Sequence, residues 1–250
     1  MATESTQVVA VRQQEGTTMA RKPFAMALLI VLALGLLMPS AAYAHRMIWN
    51  VGVHTNAGSA IAIEDPSISQ VIYHDVTEAA PQIWLTFDAK AGQSLYMQLG
   101  VPVLDRLVDY RPAMALIGPG LPEPEGDLPF EVPSGMGVLV FPSGTPQYFL
   151  EEFTGTEDWI MREEEVDLPA TGRYYFLGYE PEPENGKLWI SLGRKEHFGL
   201  RDILTINRVI DAVRAFHETT GSPYSLLRVI QIALLAALAA VMGIAGYLLF

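Results

Sequence analysis

The chain contains no cysteine. Disulfide frameworks, thiolate metal sites and cysteine nucleophiles are therefore excluded, and any core must hold without covalent staples. Cations are scarce too, with 16 Lys and Arg against 28 Asp and Glu. The deficit is concentrated in residues 45–222, which carry 26 acidic and 12 basic side chains, a balance of −14. Such a surface has too few cations to displace the counterions of phosphates, so nucleic acid is excluded as a partner. P-loop, H-E-x-x-H and G-x-S-x-G motifs are also absent: Ser134 in PSGMG and Ser143 in PSGTP lack the glycines of a nucleophile elbow.

Two apolar runs mark the ends of the chain. Phe24 to Met38 is uncharged, follows Arg21 and Lys22, and leads into Pro39–Ala44 with its terminal Ala-Tyr-Ala. This is the three-part pattern of a secretory signal, with Met19 as its start and cleavage after Ala44, which leaves His45 as the mature N-terminus. The second run, Val229 to Phe250, has Gln231 as its only strongly polar member. At about 1.5 Å per residue it reaches roughly 33 Å, enough for one transmembrane helix. Arg228 just before it opposes an external N-terminal domain under the positive-inside rule, but a cleaved signal outweighs one arginine. Ala233, Ala236, Ala237, Ala240 and Gly243 give that helix small residues where a partner helix could approach.

The region between alternates with a period of two. In QIWLTFD, Ile83, Leu85 and Phe87 share one face; in SLYMQLGV, Leu95, Met97 and Leu99 do the same. GVLVF from Gly137, WIMREEEVDL from Trp159, RYYFLGY from Arg173 and KLWISLG from Lys187 continue the pattern, with Pro- and Gly-rich turns such as PEPENG between them. No 10- to 15-residue helical pattern separates these segments, so the sequence predicts a β-sandwich. A helical period appears only afterwards. Leu200, Ile203, Leu204, Ile206, Val209, Ile210, Val213 and Phe216 form one apolar stripe, with Arg201, Asp202, Arg208, Asp211, Arg214 and Glu218 opposite. Such a helix can lie on a membrane, pack on the sandwich or meet a sister chain; its mixed charges lack the basic excess usual at a membrane surface.

FDAKAGQSLYMQL at 87–99 and VDLPATGRYYFLGYEPEPENGKLWISLG at 166–193 resemble the strand, turn and closing hairpin of bacterial pre-peptidase C-terminal domains. IEDPSISQVIY at 63–73 and the closing GKLWISLGRKEHF also resemble a family of uncharacterised membrane-anchored exported proteins. The first resemblance implies a jelly-roll-like β-sandwich, and neither supplies a catalytic motif. Residues around 121–160 depart from the compact module. The predicted organisation is a leader at 1–44, a mainly β sandwich ectodomain at 45–198, an amphipathic juxtamembrane helix and hinge at 199–222, and a membrane anchor at 223–250. Protein partners are expected through the 199–218 helix or the anchor.

Three sets of residues carry candidate chemistry. Tyr174, Tyr175, Tyr179 and Trp189 would make an aromatic binding platform if they projected outward together, whereas at strand spacing they also read as core and cross-strand pairs. A mature His45 would pair its imidazole with a free α-amino group as a nitrogen chelate for copper, with His54 or His74 as further ligands and Met47, Met97 or Met114 favouring Cu(I). The same residues also read as the lead-in to a first strand. Eight acids between Glu151 and Asp167, opposed only by Arg162, could hold a hard cation or serve as a hydrolase pair, but no D-x-D-x-D-G loop gathers them and an edge that discourages sheet pairing explains them as well. The sequence therefore points first to an extracytoplasmic binding or assembly module without a cofactor, then to a copper-binding protein, and third to an acidic-pair hydrolase.

Overall fold

A computed structural model describes residues 45–182, 184–197 and 200–219. The runs read from sequence as leader and membrane anchor lie outside the described residues. Among those described, no helix is long and apolar enough to cross a membrane.

The described residues form one compact unit. Its strands are β1 (Arg46–Met47), β2 (Ile61–Ala62), β3 (Gln70–Val76), β4 (Gln82–Ala89), β5 (Ser94–Pro102), β6 (Ala113–Gly118), β7 (Gly137–Phe141), β8 (Gln147–Glu151), β9 (Thr156–Asp167), β10 (Gly172–Tyr179) and β11 (Gly186–Leu192), followed by helix α1 (Leu200–Phe216). Sheet A has the order β1-β3-β11-β5-β9-β8 and sheet B the order β2-β4-β10-β6-β7. The short strands β1 and β2 pair in parallel with β3 and β4; the other pairings are antiparallel.

Alternation explains the core between the sheets. Ile83, Leu85 and Phe87 of β4 meet Leu95, Met97 and Leu99 of β5, joined by Tyr174 and Phe176 of β10 and Leu188 and Ile190 of β11. Full burial of one such side chain is worth about 1.5–3 kcal/mol, so this layer is the main source of stability. Tyr174 turns its hydroxyl back to donate to Ala170 O at 2.7 Å, the arrangement of a tyrosine corner.

Each sheet also has a covered outer face. On sheet B, Trp84, Ala115, Ile117, Leu177 and Tyr179 form a second apolar cluster against Leu128, Phe130 and Val132 from the inserted segment. Trp84 satisfies its indole N–H on Gln82 Oε1 at 2.7 Å, and Gln82 Nε2 donates to Pro129 O at 2.8 Å, which ties the cover down. On sheet A the cover is α1. Ile210 and Val213 are buried, Tyr73 of β3 meets the Phe216 ring at 4.9 Å, and Lys187 of β11 donates to Phe216 O at 2.8 Å. Of the uses open to the amphipathic helix, the structure shows packing on its own sandwich.

Candidate functional site

The outer face of sheet A should be polar by alternation, yet it presents Val71 and Tyr73 from β3 and Trp189 from β11. Gly100, the partner of Trp189 on β5, makes room for the indole: a Cβ there would stand 2.2 Å from the ring. Trp189 Nε1 donates to Asp158 Oδ1 of β9 at 2.7 Å, and His217, just past the end of α1, places Nε2 at 2.9 Å from the same oxygen. The other ring nitrogen of His217 lies 2.7 Å from Val213 O. Asp158 and His217 are both buried. This hydrogen-bonded group is a buried polar anchor in the helix–sheet contact.

Beside the anchor, toward β1, helix and sheet part to leave a cleft of about 180 Å³. Val71 and Tyr73 form its floor, Ile206, Val209 and Val213 its helical wall, and Met47 and Trp49 its outer side. Glu151 and Phe153, from the end of β8 and the turn after it, close one end. The rim carries His45, and the Arg46–Asp202 ion pair at 3.7 Å joins the first strand to the helix.

Three polar groups give the cleft its chemistry. Burial pushes the Tyr73 phenol well up, and the negative charges of Asp158 and Glu151 add to this, so it stays a neutral hydroxyl. No hydrogen bond from that hydroxyl is found among the described residues. Glu151 Oε1 accepts from Phe153 N at 3.0 Å, and no cation pairs with the carboxylate among the described residues. Burial raises the Glu151 carboxyl above its ordinary value, the Phe153 N–H opposing this and the charges of Asp158 and Glu152 reinforcing it. His45 Nδ1 is hydrogen-bonded to Ser69 Oγ at 2.6 Å, and burial lowers the pKa of its ring.

The aromatic platform is not assembled. Tyr174 points into the central core, Tyr175 and Tyr179 lie in the covered cluster outside sheet B, and Trp189 lies beneath α1 outside sheet A. Alternation along β10 separates Tyr174 from its neighbours, and the two covering layers hide the rest. The three histidines are not gathered either. His45 precedes the β1 pairing of Arg46 with Gln70, whereas His74 lies four residues beyond Gln70 on β3, more than about 13 Å along a strand. His74 uses both ring nitrogens, Nδ1 with Asn50 Nδ2 at 3.1 Å and Nε2 with Ala80 O at 2.9 Å, while those of His54 face the carbonyls of Ser59 and Val51. Met97 and Met114 are in the core, and among the described residues no group of three or more His, Asp or Glu could hold a metal ion. On β9, Glu157, Glu163, Glu165 and Asp167 are exposed and Asp158 is buried, and Glu163 and Glu165 pair with Arg194 at 3.3 and 3.0 Å.

Sequence reasoning passed over Asp158, His217, Tyr73 and Glu151 as a group. One signal for them was present: His217 continues the apolar stripe through Ile210 and Val213 at intervals of three and four, so it belongs to the buried face of the helix.

No family model and no curated protein matches the chain. Among solved structures it is similar to the pre-peptidase C-terminal domain of a collagenase from Bacillus anthracis, at 10% identity and a TM-score of 0.29 over 57% of this chain and 98% of that one. It is also similar to a periplasmic inhibitor of g-type lysozyme from Aeromonas hydrophila, at 13% identity and a TM-score of 0.31 over 60% and 98%. A third is a surface-associated copper-binding protein of Methylomicrobium album BG8, at 6% identity and a TM-score of 0.26 over 62% and 100%. The pre-peptidase C-terminal domain that residues 87–99 and 166–193 resemble is thus among the similar structures. At these values none of the three carries an argument about activity or ligand.

Proposed function

We propose that this chain is an exported β-sandwich, held at the outer face of a membrane by Val229 to Phe250, which binds a small ligand in the cleft between α1 and sheet A. The signal pattern and the second apolar run support the location. The observation that carries the binding reading is the cleft itself, where apolar walls stand around the Tyr73 phenol and the Glu151 carboxylate, and among the described residues the first has no hydrogen-bond partner and the second no paired cation. Both residues are half-buried, so their polar groups are open to a ligand in the cleft.

The test is methyl NMR on the full-length protein in detergent, with labelled Ile, Leu and Val, titrated with a set of small aromatic and branched aliphatic compounds. Compounds that bind should shift the Val71, Ile206, Val209 and Val213 methyls together, and Val209→Trp should abolish the response by filling the space. A set that leaves all four methyls unmoved refutes the reading.

A second reading, copper binding, rests on His45 alone, because His45 lies on the cleft rim while His54 and His74 are committed elsewhere. If the mature chain starts there, Cu(II) should bind below about 1 μM in competition with a chelator, and one extra residue ahead of His45 should abolish this by converting the amine to an amide. Binding indifferent to that residue removes copper from consideration.

A further inference from the structure

The chemistry of the cleft selects among ligands, and the selection rests on the binding reading above. Its charged and titratable groups are Glu151, the Arg46–Asp202 pair, the Tyr73 phenol and the His45 imidazole, with Asp158 in the neighbouring anchor. Arg46 already faces a carboxylate, and burial disfavours the charged form of His45. Glu151 has one oxygen on Phe153 N and no cation, and both Glu151 and Asp158 act on the Tyr73 hydroxyl electrostatically. The side chains therefore make the field at the Glu151 end of the cleft negative, and that end is rich in hydrogen-bond acceptors.

An anionic ligand would meet that field unfavourably and find no unpaired cation among the described side chains that line the space. A neutral ligand would leave Glu151 without a counter-charge. An ammonium group, with three donors and no acceptor, matches what is offered: a carboxylate oxygen and a hydroxyl oxygen as acceptors, with a positive charge to answer Glu151. The size of the space sets the rest of the molecule. At about 180 Å³ the cleft is close to the cavity of about 150 Å³ that holds a benzene ring, and it is smaller than sites for drug-sized ligands.

We propose that the cleft takes a small organic ammonium ion, with an aromatic or branched aliphatic body among Val71, Ile206, Val209 and Val213 and its charged head at Glu151 and Tyr73. A primary amine on a single ring or a short branched chain fits both halves. An amino acid does not, because its carboxylate would meet Glu151.

The experiment compares three probes of one shape on the full-length protein in detergent, followed by the same methyl signals: benzylamine, benzyl alcohol and benzoate. Benzylamine should bind at least about tenfold more tightly than benzyl alcohol, and benzoate should bind most weakly. Glu151→Gln should bring benzylamine to the affinity of benzyl alcohol while leaving the alcohol unchanged. Tyr73→Phe should weaken benzylamine about three- to tenfold with a smaller effect on the alcohol. Unperturbed shifts for core methyls such as Leu85 and Leu99 would establish that each variant is folded. If benzylamine and benzyl alcohol bind equally, or if Glu151→Gln leaves their ratio unchanged, the ammonium proposal is overturned and the cleft remains a binding site of another kind. If none of the three moves the cleft methyls, the proposal is overturned together with the reading it rests on.

Discussion

Replacing His217 by Ala tests whether the buried anchor holds α1 on the sheet. The substitution removes the contact at 2.9 Å with Asp158 Oδ1 and leaves that buried carboxylate with the Trp189 indole as its donor on that oxygen. A hydrogen bond to a charged group is worth about 1.5–3 kcal/mol, and breaking a fully buried charged pair costs about 3–5 kcal/mol. Trp189 continues to serve Asp158, so a loss of about 2–3 kcal/mol is expected. It should fall on the docking of the helix rather than on the sandwich, because the central core between the sheets is complete without α1. Native-state hydrogen exchange reads this directly. Amides of α1 should exchange roughly 30- to 150-fold faster in the variant, the factor that 2–3 kcal/mol implies, while those of β4 and β10 should change little. Trp189→Phe should produce a similar effect, and the double variant should fall well short of the sum because both groups serve one oxygen. Exchange of α1 within about threefold of wild type would refute the anchoring role.

Gly193→Ala should destabilise the sandwich by more than about 2 kcal/mol in denaturant unfolding, because Gly193 has φ +75° and an added Cβ would stand 2.3 Å from Ile68 O. A loss below about 0.5 kcal/mol would show that this turn relaxes freely. Burial raises the Glu180 carboxyl above its ordinary 4.5, opposed by the Glu182 N–H and reinforced by the charge of Glu184. A raised folded-state value gives stability that is full below the unfolded value and lost as pH rises through the folded one. Glu180→Gln should therefore match wild type below about pH 4 and gain stability relative to it toward neutrality; an advantage confined to acid would contradict the assignment.

Legibility in the sequence followed solvent. The alternation in QIWLTFD and SLYMQLGV foretold β4 and β5 with the correct inward face, and GVLVF, RYYFLGY and KLWISLG fall on β7, β10 and β11. The helical stripe fell on α1. Strands β3 and β6 were not legible as alternating segments, for a common reason. AMALIG of β6 is buried along its whole length because the inserted segment covers sheet B, and QVIYHDV of β3 is apolar on both faces where α1 covers sheet A. A second covering layer removes the polar half of the alternation, so the period-two signal fades where the fold is thickest. The candidate site lies in such a place. Tyr73, Asp158 and His217 come from three separate elements, and their meeting depends on the cover rather than on any local motif.

The end of α1 shows how firmly that cover is set, and hence why the cleft beside it has fixed walls. Thr219 N bonds Arg214 O at 3.0 Å and Glu218 N bonds Ala215 O at 3.1 Å, a Schellman termination that places Glu218 in the left-handed region with φ 55°. Glycine or asparagine ordinarily stands there, and a glutamate bears a cost of about 1–2 kcal/mol for that backbone. Its carboxylate offsets this through Lys187 at 3.2 Å and Arg106, and Lys187 also reaches Asp75 at 3.3 Å and Phe216 O at 2.8 Å. Two separated segments of the sandwich, at Arg106 and Lys187, thus meet the end of the helix. At the other end Arg46 holds Asp202, and in the last turn Arg214 donates to Thr154 O at 2.8 Å in the turn that closes the cleft. Exposed ion pairs of this kind are each worth little. Spaced along one helix, however, they fix its register over the sheet, which the smooth apolar contact of Ile210 and Val213 cannot do alone. A ligand of the kind proposed would then meet walls already in position, so little of its binding energy would be lost to ordering the protein.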